Sequence, residues 1–316
     1  MNIGIIGSGN QAQKIVNILI KKKNYLIIYH YKKKNYLIRY HYKKKKGFTT
    51  NLKKLFETDC IFILSPTYTH NNYLKLFNNY NGYIFLEKPG ASNKKQSNFL
   101  KKKIKTKKLY INYNFIFSKI YDNLKKNIKS EKYGKLLNFH IIQSNAIALK
   151  KNYNNWRFDK KKSIGIEETN SVHFIHLILS LFKHVKLLSK FKQSISKKNI
   201  DNVNYTFLTN KNCYISFFNS YTCPLENSFK LIFVNCLLNY DGKKFTFSYP
   251  WNVKGKTGRL IKPPIKKKIH INFKDDWNMS NKKSVDFFLN YVRKKKYFFN
   301  SILKNSLKAL YFIFLN

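Results

Sequence analysis

Acidic residues are scarce in this chain: 14 Asp and Glu stand against 62 Lys and Arg in 316 residues, a formal net charge of +48. Read alone, that imbalance points to nucleic acid or another anionic surface as partner. The excess, however, is nearly all lysine, and it travels with abundant Asn, Ile, Phe and Tyr, the residues of AT-rich codons. Runs such as Lys101-Lys102-Lys103 and Lys160-Lys161-Lys162 read as solvated faces and loops. Compositional bias is the first reading, and a nucleic-acid partner is not expected. Electrostatic capture of a phosphorylated small molecule fits either reading.

Paired cysteines are also missing. Cys60, Cys213, Cys223 and Cys236 form no C-x-x-C pair and no metal spacing, so neither a disulfide framework nor a metal site is expected. Cys60 lies in an apolar run and reads as a small buried residue. Long apolar runs are absent too. Stretches such as Phe174 to Phe182 are too short and too broken to span a bilayer. The chain opens directly into a strand pattern, so no secretory leader is expected. A reduced, cytoplasmic setting is the simplest expectation. What the chain does have is 43% hydrophobic and 17% aromatic residues, ample for a packed core, and a length suited to one large or two ordinary domains.

Residues 2–7 read as a short buried strand, followed by apolar positions Ala12, Ile15, Val16, Ile18 and Leu19 at helical spacing. Tyr25 to Tyr29 reads as the next strand, completing a βαβ unit of a parallel sheet. An oddity follows. Residues 24–34 and 35–45 are a tandem eleven-residue repeat that differs only in Ile28 against Arg39. Two copies are too few for a solenoid. A strand buried on both faces wants a continuous apolar run, so the first copy is assigned to the sheet. The second, with Arg39, becomes a basic protrusion or edge hairpin.

Further strands are expected at Cys60–Ser65, Tyr83–Leu86 and Leu109–Phe117, with helices near 52–56, 73–77 and 92–103. Residues 1–117 thus form a doubly wound half. Beyond it, helices are expected at 121–128 and Thr169–Phe182, and strands at Leu136–Ser144, Tyr205–Leu208, Cys213–Ser220, Phe229–Asn239 and Phe245–Ser248. Asp241-Gly242 is a tight-turn signal between the last two. Closing helices are expected at 282–292 and 302–314. The fold class is α/β: a parallel doubly wound sheet, then residues 118–316 as an α+β domain with a large, mostly antiparallel open sheet, the last helix free to pack back on the first domain.

Gly7-Ser8-Gly9-Asn10-Gln11-Ala12 follows a strand and opens a helix. Gly7 allows the tight turn, Gly9 lets the backbone approach a pyrophosphate, and Ala12 is small enough for helix–strand packing. The helix N-terminus then offers N–H groups to phosphates. This is the fingerprint of NAD or NADP binding. The acid that would hold the adenosine ribose diol is absent; the second strand ends Tyr29-His30-Tyr31-Lys32, whose basic character leans toward the 2′-phosphate of NADP. Ser65-Pro66 with His70, and Glu87-Lys88-Pro89, lie at carboxyl ends of later strands, where open α/β sheets bind ligands.

The ordered set of these motifs, with Asn112-Tyr113-Asn114-Phe115, Tyr133-Gly134-Lys135-Leu136, Trp156-Arg157, and Gly165 followed by His173, resembles the Gfo/Idh/MocA oxidoreductases, the glucose–fructose oxidoreductase and inositol dehydrogenase group. The fit runs to about residue 183. The resemblance implies hydride transfer between a nicotinamide and a hydroxyl-bearing carbon of a sugar, cyclitol or nucleotide sugar. It also implies a small-molecule carbohydrate-like substrate and a homo-oligomer formed through the C-terminal sheet. It makes Lys88 the contact to the reacting hydroxyl, where an ammonium stabilises a developing alkoxide, and His173 the general acid/base. Cofactor contacts are expected from Gly7 to Ala12, His30, Ser65, Pro66, His70, Glu87, Lys88, Trp156 and Arg157; the Trp156-Arg157 pair serves equally as a loop anchor. The chain departs from the family pattern at Thr169 and His176, where many members carry Asp, and at Ile116, where an arginine is common. Glu167, Glu168 or His176 are the substitutes available for the missing acid.

Overall fold

Parallel sheets bury both faces of their strands, and the apolar runs of this chain obey that demand. The computed structural model describes residues 1–22, 25–29, 46–104, 108–150, 155–297 and 300–315. Its first sheet is built from β1 (Asn2–Ile6), β2 (Tyr25–Tyr29), β3 (Lys46–Thr49), β4 (Cys60–Ile63), β5 (Tyr83–Glu87) and β6 (Leu109–Asn112). Every residue of β4, β5 and β6 is buried. All pairings are parallel, in the order β3-β2-β1-β4-β5-β6. Winding reverses between β1 and β4, which puts the topological switch point at their carboxyl ends.

The first copy of the repeat supplies β2, paired with β1 from Asn2↔Tyr25 to Ile6↔Tyr29. The second copy and His30 lie outside the described residues. Chain contacts group the protein into two units: Met1–Asn114 with Asn281–Leu315, and Phe115–Ser280. The division is not a single cut. From Asn281 onward the helix Phe273–Arg293 counts with the first unit, where Phe288 packs edge-on against Phe62 and Phe85 at 5.1 and 5.3 Å between ring centroids.

The second unit carries β7 (Leu136–Ser144), β8 (Val185–Gln193), β9 (Asn202–Thr209), β10 (Tyr214–Ser220), β11 (Glu226–Phe233), β12 (Cys236–Tyr240), β13 (Lys244–Ser248) and β14 (Ile265–His270). They form one open sheet in the order β14-β13-β12-β11-β7-β10-β9-β8. Only the β7–β10 pairing is parallel among them. The helix Val172–Leu181 lies on this sheet, with Phe174 against Phe217 and Phe229.

Three expectations are corrected. Leu109–Phe117 is a strand only to Asn112, and a 3-10 turn takes Asn114–Phe117. Phe229–Asn239 is two strands joined at Val234-Asn235, a hairpin with no glycine or proline to announce it. The helix expected from Thr169 opens as a π-helical turn, Glu167–Ser171, before the regular helix begins at Val172.

Candidate functional site

The strand register sets the site of the first unit. Ile6 pairs with Ile63, and Ile63 with Leu86, so Gly7 and Leu64, which follow β1 and β4, lie on the rung of Glu87, the last residue of β5. Gly7 has φ 117°, and a Cβ there would lie 2.6 Å from the Leu64 carbonyl group. Only glycine permits that approach of two backbones. It seats the turn after β1 against Leu64 and Ser65.

Gly9 is a different case. Its φ of −71° suits any residue, and a Cβ would meet nothing within 4 Å. The protein's own backbone does not require glycine there; the space in front of it stays open. Gly9 caps the helix Asn10–Ile20 without a side-chain hydrogen bond, and the first turn holds no acid. Free N–H groups and the positive end of the helix dipole thus face an uncrowded cradle, the arrangement that takes a pyrophosphate. Ala12 is buried against the sheet. The residues present therefore fit the dinucleotide that the motif implies.

Ser65 and Pro66 follow β4, and Pro66 caps the helix Thr67–Leu76. Thr69 Oγ1 donates to the Pro66 carbonyl and so accepts from Ser65 Oγ, both at 2.7 Å. His70 has no exposed surface; its Nε2 donates to the Ser65 carbonyl at 2.8 Å. It shapes the Ser65-Pro66 turn from behind and offers no face to a ligand, which corrects its expected role as a direct contact. Burial lowers its pKa to about 4, with the Lys88 charge acting the same way, so the ring is neutral.

Glu87 is buried at the end of β5 and Lys88, half-buried, follows it; the Lys88–Pro89 peptide is cis. Glu87 Oε1 accepts from Asn112 Nδ2 at 2.7 Å and from Gln11 Nε2 at 3.3 Å. Burial raises the Glu87 pKa, opposed by the Asn112 hydrogen bond, the Lys88 charge and Gln11. Gln11 also donates to Asn281 Oδ1 at 3.0 Å, and Ser284 Oγ donates to Asn112 Oδ1 at 2.7 Å. Gln11, Glu87 and Lys88 thus lie together, and Asn112, Asn281 and Ser284, which were not foreseen as a group, join them. Only Asn112 carried a signal, as part of the Asn112–Phe115 motif.

In the second unit, Trp156 and Arg157 form a 3-10 turn in which the guanidinium lies over the indole at 4.9 Å. Asn155 Oδ1 accepts from the Arg157 backbone and Nη1, and Asn199 Nδ2 donates to the Arg157 and Ser163 carbonyls. This is a loop anchor in its connections. His173 is buried, edge-on to Trp277 at 4.9 Å. Thr169 Oγ1 donates to the Gly165 carbonyl at 2.8 Å, so it accepts from Tyr221 at 2.9 Å. Its one proton is therefore spoken for.

Glu167 is corrected as a stand-in acid. Its Oε1 accepts from Lys190 Nζ at 3.1 Å and Tyr205 at 3.0 Å, and both charged side chains are only 3% exposed. Breaking such a pair would strand a buried charge. Glu168 and His176 are buried as well. All four cysteines are free thiols, and burial pushes the Cys60 thiol up. Among the described residues no helix is long and apolar enough to cross a membrane.

Residues 1–115 match the family described as the Gfo/Idh/MocA oxidoreductases, NAD-binding Rossmann fold. No curated protein matches the chain by sequence. Solved structures share its fold over nearly their whole length. A myo-inositol 2-dehydrogenase from Lactobacillus plantarum aligns at 15% identity and TM-score 0.78, over 99% of this chain and 95% of that one. A levoglucosan dehydrogenase in complex with NADH and levoglucosan gives 12% and 0.80, over 99% and 97%. A mutant 3-ketoreductase from Actinomadura kijaniata, in complex with TDP-benzene and NADP, gives 11% and 0.79, over 99% and 95%. Residues 1–115, with the strand order β3-β2-β1-β4-β5-β6, thus match the NAD-binding Rossmann fold of the Gfo/Idh/MocA oxidoreductases.

Proposed function

We propose that the chain is an NAD(P)-dependent oxidoreductase acting on a hydroxyl-bearing carbon of a sugar, cyclitol or nucleotide sugar. The observation that carries the reading is the open cradle at Gly9, on the same sheet edge as Glu87 and Lys88. The N–H groups of the first helical turn would hold the pyrophosphate. A bound nicotinamide would supply the hydride acceptor or donor. Lys88 would polarise the substrate hydroxyl and stabilise the alkoxide as it develops. His173 would take the hydroxyl proton in the oxidising direction and return it in the reducing one. NADP is the preferred form in this reading, because the sequence that follows Tyr29 is rich in lysine and has no acid for a ribose diol. The second unit's open sheet would serve self-association.

Lys88→Ala tests the assignment. Turnover, followed by nicotinamide absorbance against cyclitols, sugars and nucleotide sugars, should fall by about 10²-fold or more. Affinity for NADH and NADPH should stay within a few-fold. An unchanged rate would sink the role given to Lys88.

A second reading, a cofactor-binding protein without turnover, is favoured by the bonding at Thr169. Thr169 carries no carboxylate, its hydroxyl is held between Gly165 and Tyr221, and Glu167 is held by Lys190. Cofactor binding with no turnover across the same substrate panel would decide for it.

A further inference from the structure

A buried chain of hydrogen bonds in the first unit runs in one direction. Ser284 Oγ gives its proton to Asn112 Oδ1, so in its 2.7 Å contact with Tyr110 the phenol is the donor. Asn112 passes the direction on, giving Nδ2–H to Glu87 Oε1. From the other side Gln11 Nε2 donates to the same oxygen and to Asn281 Oδ1. The chain from Tyr110 through Ser284 and Asn112 ends on Glu87 Oε1, and Gln11 links that oxygen to Asn281 Oδ1. Tyr110, Asn112, Asn281 and Ser284 are almost wholly buried, so water does not replace a lost partner.

The direction has a consequence for geometry. Ser284 fixes which end of the Asn112 amide faces Glu87. Without that hydroxyl the amide loses the contact that tells its oxygen from its nitrogen, and a flip would set oxygen against carboxylate oxygen. Asn281 does the same work at the other side, holding the Gln11 amide with its N–H toward Glu87. Gln11 belongs to the first turn of the helix that follows Gly9, and Lys88 follows Glu87. Asn281 and Ser284 lie three residues apart on the helix Phe273–Arg293 and so share one face of it.

We propose that Asn281 and Ser284 are positioning residues of the cofactor site, acting through Gln11 and Asn112 to fix the Glu87 carboxylate between the glycine turn and Lys88. The proposal rests on the oxidoreductase reading and adds the helix Phe273–Arg293 to its machinery. Lys88 and Tyr110 are the charged and titratable groups that face Glu87.

A double-mutant cycle on cofactor binding tests it, using the full chain and nicotinamide fluorescence with NADH and NADPH. Ser284→Ala should weaken binding about 5- to 10-fold in the native background and less than about 2-fold when Glu87 is already Gln, because the residue acts only through that carboxylate. A residue that merely supports the fold would give the same loss in both backgrounds, and that result, or no loss in either, overturns the proposal. Tyr110→Phe, which deletes only the terminal hydroxyl, carries the same cycle should Ser284→Ala fail to fold. A native chain that binds neither NADH nor NADPH overturns the cofactor reading itself, and this shows before any variant is compared.

Discussion

His70 takes its tautomer from its neighbour. A carbonyl can only accept, so the ring nitrogen facing the Ser65 oxygen at 2.8 Å carries the proton. The folded chain holds this ring neutral, with a pKa lowered by burial to about 4 from 6.5. Above pH 6.5 neither folded nor unfolded chain protonates it, and the group adds no pH dependence. Between 6.5 and 4 the unfolded chain takes a proton that the folded chain refuses, so stability falls with pH across that window. The loss is of the order of a few kcal/mol. His70→Gln keeps a donor for the Ser65 carbonyl and removes the titration. Urea midpoints from pH 7 to 4 should therefore fall less steeply in the variant than in the native chain; parallel curves would show that His70 is not the group being excluded. The same burial explains why sequence reading placed His70 among the ligand contacts. The spacing from Ser65 was visible, but the side on which the ring lies was not.

At the scale of elements, the glycine that opens the π-helical turn is the most constrained. Gly165 has φ 82°, and a Cβ would sit 2.1 Å from the Ile200 carbonyl oxygen, which already accepts from the Ile166 N–H at 2.9 Å. Gly258 has a similar φ of 76° with nothing within 4 Å of the missing Cβ. Gly258→Ala should cost about 1 kcal/mol from backbone strain alone, and Gly165→Ala clearly more, about 2 kcal/mol or above, since strain and a backbone clash add. Chemical denaturation of the two variants separates the terms; equal losses would mean that the close approach to Ile200 relaxes freely. Elements of this kind mark where the sequence could be read and where it could not. Strands β1, β2, β4 and β5 were legible because a parallel strand buried on both faces must be continuously apolar. Strands β3, β8 and β14 were not, because edge strands tolerate lysine and carry it here at Lys46, Lys186 and Lys266 to Lys268. The hairpin at Val234-Asn235 has neither glycine nor proline to mark it, and the π-helical turn has no composition of its own. In the candidate site, the glycine turn and Glu87-Lys88 were legible because each is a short motif read within a few residues of chain. Asn281 and Ser284 were not, since Ser284 meets Asn112 across 172 residues of chain.

For the whole molecule, the charge decides the sign of its response to salt. Among the described residues the ion pairs are Lys22–Asp286, Lys162–Asp159, and Lys190 and Lys192 with Glu167. With 62 cationic side chains and 14 acids, most lysines face other lysines, and the summed interaction is repulsive. The buried Lys190–Glu167 pair is shielded from ions, so what salt screens is chiefly the repulsion. In a chain of balanced charge, added salt weakens surface pairs. Here it should do the opposite: raising sodium chloride from 20 to 200 mM shortens the Debye length from about 20 Å to about 7 Å and should raise the melting temperature by a few degrees. The same screening should favour the self-association proposed for the open sheet, and sedimentation at the two ionic strengths tests it by a shift toward a larger species at high salt. The alternative is a protein whose lysines form a stripe for a polyanion. That protein would bind heparin or RNA at low salt with log K falling steeply against log salt, and would melt lower as salt strips the polyanion away. A melting temperature that rises with salt, with no binding of heparin or RNA at about 20 mM salt, assigns the lysines to composition; binding with a steep salt slope would return them to function.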